Sequence, residues 1–153
     1  MRVIGIAVVV AALSLASTTR VRAADRRELP AFALSAADGT SVESPTLAVP
    51  ATWLFVYVQA HCAPCDALLA RIGSDERKSA SRIVIVGAGM DAHGITALAA
   101  KYPNLRASRW LADPGRGAAA PLGVQAMPTV FGLRASSIEW RLAGTVHKFR
   151  RVL

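Results

Sequence analysis

Cysteine is scarce in this chain of 153 residues: Cys62 and Cys65 are the whole supply. No second CxxC and no HxxxH accompanies them, so the two close ligand pairs usual in a structural zinc site are missing. Acidic side chains are also few, 10 Asp and Glu against 18 Lys and Arg, for a formal net charge of +8 at pH 7. The basic residues are scattered, as at Arg26-Arg27, Arg106, Arg109, Arg116 and Arg150-Arg151. They form no stripe interleaved with aromatics, which argues against nucleic-acid binding and for a solvated surface, with an acidic partner surface still compatible. Internal repeats and low-complexity tracts are absent. With 53% hydrophobic residues, the chain suits one folded domain with a substantial core.

The longest apolar run is also short for a membrane span. It covers Val3 to Ala16, follows Arg2, and gives way to small and polar residues. A spanning helix needs about 20 apolar residues. The segment 1–23 therefore reads as a secretory signal peptide, with Val21-Arg22-Ala23 as a small-residue cleavage site. Export, to the periplasm or an equivalent compartment, is the expectation, with membrane anchoring only if the leader stays uncleaved. Removing the leader takes away Arg2, Arg20 and Arg22 and leaves 15 basic residues against 10 acidic, a net charge of +5. Residues 24–29 read as a flexible N-terminus and 30–153 as the folded domain.

Along that domain, Asp38-Gly39 between alternating apolar positions predicts a short hairpin. The run Thr52 to Val58 is β-branched and aromatic, a strand buried on both faces in the middle of a sheet. From Cys62 the spacing of Leu68, Leu69 and Ile72 is helical, and Pro64 sits where a first turn tolerates proline. "RIVIVGAG" predicts a second buried strand, and "DAHGITALAAKYP" a helix stopped near Tyr102 by Pro103. "RASRWLAD" predicts a third strand ending in an Asp113-Pro114-Gly115 turn, and "GAAAPLGV" a short helical turn. "MPTVFGLR" and "IEWRLAG" read as a strand pair separated by Ala135-Ser136-Ser137, and "TVHKFRRVL" as a closing helix. The order gives an α/β fold with a mixed central sheet flanked by helices.

Three uses compete for the two sulfurs: a staple, a metal clamp and a redox centre. Outside the cytosol a thiol pair tends to be oxidised. A disulfide across two residues closes too small a loop to stabilise much, so it makes a poor staple. Cys62 stands at a strand end and helix start, where unsatisfied N–H groups and the helix dipole favour a thiolate. Cys65 lies about one turn on, within reach for a reversible disulfide. His61, beside the pair, favours the thiolate if its ring lies near the sulfur, and otherwise faces solvent. For a metal, His61, Cys62 and Cys65 supply three ligands, and His93 or His147 could add a fourth. Copper suits two thiolates and an imidazole, but nothing positions a further ligand. Covalent haem is excluded because Asp66, not His, follows the second cysteine. "VIVGAGMDA", with Asp113 downstream, superficially matches a dinucleotide-binding turn. The acid should lie about 20 positions on at the end of the next strand, and Asp113 instead opens an Asp-Pro-Gly turn. The sequence calls for no cofactor and no resident metal.

A strand leading into "CAPC", then β-α-β, then "GVQAMPTVFGL" resembles the thioredoxin fold, and within it the exported TlpA/ResA-type thiol-disulfide oxidoreductases. The hairpin "FALSAADGTSV" is similar to that group's N-terminal addition. The resemblance spans Pro30 to Gly144 and implies a three-layer thioredoxin-like fold. It also implies Cys62 as the attacking cysteine, Cys65 as the resolving one, and His61, Ala63 and Pro64 as the surroundings that tune them. Pro128 would be the family's cis-proline, exposing the backbone of Met127 so that a client peptide can pair with it as an added strand. Partners would be client proteins with disulfides or thiols and an electron-donor thiol protein. The chain departs from its relatives in three places. His61 stands where many have Trp, and the apolar Val56 and Leu68 stand where relatives keep an acid. Asp66 is expected as the only nearby carboxylate, facing solvent. The Ala63-Pro64 dipeptide resembles reductive members of the family. The alternatives are a non-catalytic thioredoxin-fold binding module in an envelope assembly for secretion or conjugation, and a copper-handling dithiol protein.

Overall fold

β-branched and aromatic crowding sets the centre of the sheet. The computed structural model describes residues 27–75 and 77–144. The run beginning at Thr52 forms strand β4 (Thr52–Gln59), and Trp53 to Val58 are all buried. Before it come β1 (Arg27–Glu28), β2 (Ala33–Ser35) and β3 (Ser41–Glu43). After it follow α1 (Ala63–Asp75), β5 (Ile83–Ala88), α2 (Ala92–Ala100), β6 (Arg109–Asp113), α3 (Ala119–Leu122), β7 (Thr129–Arg134) and β8 (Ser137–Ala143). They assemble one eight-stranded sheet in the order β1-β8-β7-β4-β5-β6-β2-β3. β4, β5 and β6 run parallel, and β7, β8 and the β2–β3 hairpin add antiparallel pairs at the two sides. This is the expected mixed α/β sheet with its N-terminal hairpin.

Alternation along β4 divides the core, because successive side chains point to opposite faces. Leu54, Val56 and Val58 pack with Ile83, Ile85 and the inner sides of α1 and α2, through Leu68, Leu69, Ile72 and Ile95. Trp53, Phe55 and Tyr57 pack on the other face with Phe131, Leu111, Leu122 of α3, and Phe32 and Leu34 of the N-terminal segment. The rings of Phe32 and Phe131 meet Phe55 edge-on, at centroid distances of 5.8 and 6.0 Å. Edge-to-face contacts of this kind add to the burial of the rings themselves.

Several local readings are refined. Arg27 and Glu28, in the stretch read as flexible, pair with Ile138 and Ser137 of β8. The β7–β8 turn is shorter than the sequence suggests: Ser137 already pairs with Arg134, and Ala135 takes the left-handed backbone (φ 50°) that a tight hairpin requires. The hairpin turn at Asp38-Gly39 is made as expected, with the Asp38 carboxylate accepting from the N–H and hydroxyl of Thr40 at 2.9 and 2.7 Å. The GxGxxA string does not open a phosphate loop. Gly87 lies within β5 under Met90, where a β-carbon would come within 2.6 Å of the Met90 sulfur, and Gly89 turns the chain at φ 68°. α2 then starts from Asp91, whose carboxylate caps the Gly94 N–H at 2.8 Å. The closing helix expected over "TVHKFRRVL" and the leader lie outside the described residues.

Candidate active site

β4 ends at Gln59, and two residues of turn bring the chain to Cys62 at the N-terminus of α1. Cys62 acts as the cap of that helix. Its carbonyl accepts from the Cys65 and Asp66 N–H groups at 2.9 and 3.0 Å, and its Sγ accepts from the Cys65 N–H at 3.2 Å. A sulfur thus fills the place that a Ser or Asp oxygen usually takes at a helix start. Pro64, in the first turn, has no N–H to leave unsatisfied. Cys62 and Cys65 are joined in a disulfide, with their Cα atoms 5.2 Å apart.

The two sulfurs differ in access. Cys65 is 1% exposed and belongs to the core beneath α1, whereas Cys62, at 7%, lines an open cleft of about 550 Å³. His61, Ala63 and Pro64 are exposed beside Cys62 and line the same cleft. Its opposite wall is the segment Val124 to Met127, which leads into a cis peptide bond between Met127 and Pro128. That segment is tied down by the Thr129 hydroxyl, which donates to the Ala126 carbonyl at 2.6 Å, and by the Gly144 N–H, which donates to the Pro128 carbonyl at 2.9 Å. The sequence-predicted residues His61, Cys62, Ala63, Pro64 and Met127 therefore line one cleft from two distant parts of the chain, and Pro128 follows Met127 through the cis bond. His61 has left-handed backbone (φ 52°) and stands on the ridge between this cleft and a smaller one lined by Asp66, Met90 and Lys101. Among the described residues, no group of three or more His, Cys, Asp and Glu is arranged to hold a metal ion.

The wall behind the disulfide is apolar. Val56 and Leu68 are fully buried in the same cluster as both cysteines. Asp66 is exposed, and its carboxylate accepts from the Tyr102 hydroxyl at 2.7 Å; Tyr102 in turn stacks on Trp110. Burial, with the bond to Asp66 second, holds the Tyr102 hydroxyl well above its usual pKa.

Two residues were missed by reading the sequence. Asp113, which the sequence marks only as the start of a turn, is 2% exposed at the end of β6. Its Oδ2 accepts from the Tyr57 hydroxyl at 2.6 Å and from the Ala118 N–H at 3.0 Å, and its Oδ1 accepts from the Gly117 N–H at 2.8 Å. Burial first, and then Asp113, push the Tyr57 hydroxyl far above the ordinary tyrosine range. The signal was the period-two alternation of "WLAD", which puts Asp113 on the face of the buried Leu111. Arg116, read as scattered surface charge, lines the cleft with Cys62. Nothing in its sequence neighbourhood marks it, because the contact is made through the fold.

Comparison by sequence alone finds no matching family and no matching curated relative. Comparison of structures is informative. The chain is similar to a thio-disulfide isomerase from Thermus thermophilus, at 19% identity and a TM-score of 0.63, over 80% of this chain and 88% of that one. It is also similar to a secreted disulfide oxidoreductase of Mycobacterium tuberculosis homologous to E. coli DsbE, at 17% identity and a TM-score of 0.58, over 74% and 83% of the two chains. The exposed lipoprotein thioredoxin Etrx1 of Streptococcus pneumoniae matches at 17% identity and a TM-score of 0.58, over 78% and 93%. No helix among the described residues is long and apolar enough to cross a membrane. The fold is the thioredoxin fold, and the structural neighbours of this CxxC protein include DsbE-like thiol-disulfide oxidoreductases.

Proposed function

We propose that the protein is an exported thiol-disulfide oxidoreductase that reduces disulfides of client proteins. The observation that carries this reading is the Cys62–Cys65 disulfide at the start of α1, with one sulfur edge open to a cleft and the other enclosed. In the reduced protein, the first-turn N–H groups and the helix dipole favour the Cys62 thiolate. This thiolate attacks one client sulfur, the client S–S bond breaks, and the other client sulfur leaves as a thiolate. Cys65 then attacks Cys62 within the mixed disulfide. The Cys62–Cys65 bond forms, the second client sulfur departs, and the client has gained two electrons. A donor dithiol protein returns those electrons to the CxxC. The cleft wall at Met127 suits an extended client strand laid beside Cys62. Export rests on the leader-like segment 1–23 and on the secreted and surface-exposed neighbours.

Insulin reduction by the thiol-driven protein is the direct test. Cys62→Ser should abolish turnover, and Cys65→Ser should accumulate mixed disulfides that are resolved by added thiol. Full activity of Cys62→Ser would sink the mechanism. A reduction potential near the strongly oxidising end of the oxidoreductase range, about −120 mV, would reverse the direction of electron flow.

A further inference from the structure

The cleft beside Cys62 has a charge of one sign only. Of its lining residues none is Asp or Glu, and the one permanently charged side chain is Arg116. The guanidinium has little to satisfy it. Among the described residues its single side-chain hydrogen bond is a long one, 3.4 Å from Nη2 to Oε1 of Gln59. Asp113 accepts from Tyr57, Gly117 and Ala118, and among the described residues it makes no hydrogen bond with the Arg116 guanidinium.

The position is nevertheless a built one. Arg116 holds left-handed backbone (φ 54°), which is unfavourable for a residue with a β-carbon. Its N–H donates to the Asp113 carbonyl at 3.1 Å, inside the turn that the Asp113 side chain braces from below. Its side chain lies against Gly89, where a β-carbon would come within 3.2 Å of Nε, closer than most such contacts. The turn and the buried Asp113 hold a guanidinium beside Gly89 and Gln59, at the cleft that Cys62 and Met127 also line.

We infer that this cleft is a subsite for acidic client segments, in which Arg116 pairs with an Asp or Glu carboxylate close to the client's cysteine. A planar guanidinium offers a carboxylate two parallel N–H donors, and Gln59 adds an amide beside it. The chain's excess of basic over acidic residues favours the same partners during encounter. The assignment rests on the oxidoreductase reading for its purpose, while the binding itself is measurable without any redox step.

The test uses the disulfide form of the full mature chain and two eight-residue peptides, identical except for two residues flanking a central serine. That serine stands in for the client cysteine, and the flanking residues are Glu in one peptide and Gln in the other. Affinities come from an NMR titration of backbone and Arg Nε–H signals. The Glu peptide should bind about threefold more tightly at low salt, as an exposed ion pair allows. Its shifts should centre on Gln59, Arg116 and Gln125, and the preference should fade in high salt. Arg116→Gly suits the left-handed backbone and removes the charge, so it should bring the affinity ratio near one without loss of folding. Arg116→Lys should keep part of the preference. Equal affinities, binding by neither peptide, or a preference unchanged in Arg116→Gly would overturn the inference. Insulin reduction by the same preparation separates the two readings. A preference without turnover removes the oxidoreductase function and keeps the subsite, and turnover without a preference does the reverse.

Discussion

The two faces of β4 treat polarity in opposite ways. On the face under α1, Val56 is buried in the same apolar cluster as both cysteines. One residue further along, on the other face, Tyr57 enters a buried network with Asp113 and two backbone N–H groups. Both faces are fully buried, so burial alone does not decide where the carboxylate lies. The difference lies in what needs an acceptor. The turn entering α3 presents the N–H groups of Gly117 and Ala118 to the interior, and buried donors left unpaired are costly. Asp113 satisfies them and fixes the turn that carries Arg116. On the disulfide face the Cys65 N–H finds the Cys62 sulfur instead of a carboxylate. The buried acid here therefore serves the shape of the cleft and sits on the far face from the sulfurs.

Moving the charge to the other face should have the largest effect. Val56→Asp places an uncompensated carboxylate in the apolar wall and should cost about 3–5 kcal/mol, read as a fall in the denaturant midpoint. A loss below about 1 kcal/mol would mean that this wall is wetter than its packing suggests. Weakening the existing network should cost less. Asp113→Asn sets an amide N–H₂ against backbone donors and should lose about 2 kcal/mol. It should also loosen the cleft, seen as a changed Arg116 Nε–H signal.

Tyr57→Phe is the mildest change. It removes one hydrogen bond and should cost about 1 kcal/mol at neutral pH. Its diagnostic is alkaline. The native state keeps the Tyr57 proton after the unfolded chain has released it near pH 10. Stability from this group is present below that pH and falls as the pH rises above it. Tyr102, shifted in the same direction, remains in the variant. The alkaline fall should therefore be shallower in Tyr57→Phe than in the parent, and an identical fall would show that the Tyr57 hydroxyl is not held by the network.

The sheet was legible wherever pattern and period agree. The doubly buried run at Thr52–Gln59, the helix from Ala63 and the Asp38-Gly39 hairpin all follow from local rules. Cys62, Cys65 and Pro128 were visible because cysteine and proline carry their chemistry in their identity. Asp113 and Arg116 were not. An Asp before Pro-Gly also satisfies every local criterion for a surface turn, and the buried hydroxyl that draws it inward arrives from a strand 56 positions away. Arg116 depends on Gly89 and Gln59, which reach it only after β4, β5 and β6 are aligned. Sequence reading finds residues whose roles are intrinsic, and it misses those whose roles are conferred by neighbours.

The disulfide follows a central strand, since β4 is paired with β5 from Leu54 to Gln59 and with β7 from Thr52 to Tyr57. Opening such a strand requires something close to global unfolding, so its amides should be among the slowest to exchange with solvent deuterium. The first turn of α1 belongs to the same cooperative unit through Cys65 and Leu68. Small thermal openings therefore do not uncover the inner sulfur. If the pair exchanges with thiols as proposed, the exchange enters through Cys62, and a passing oxidant or stray thiol meets one atom where an unfolded CxxC would offer two.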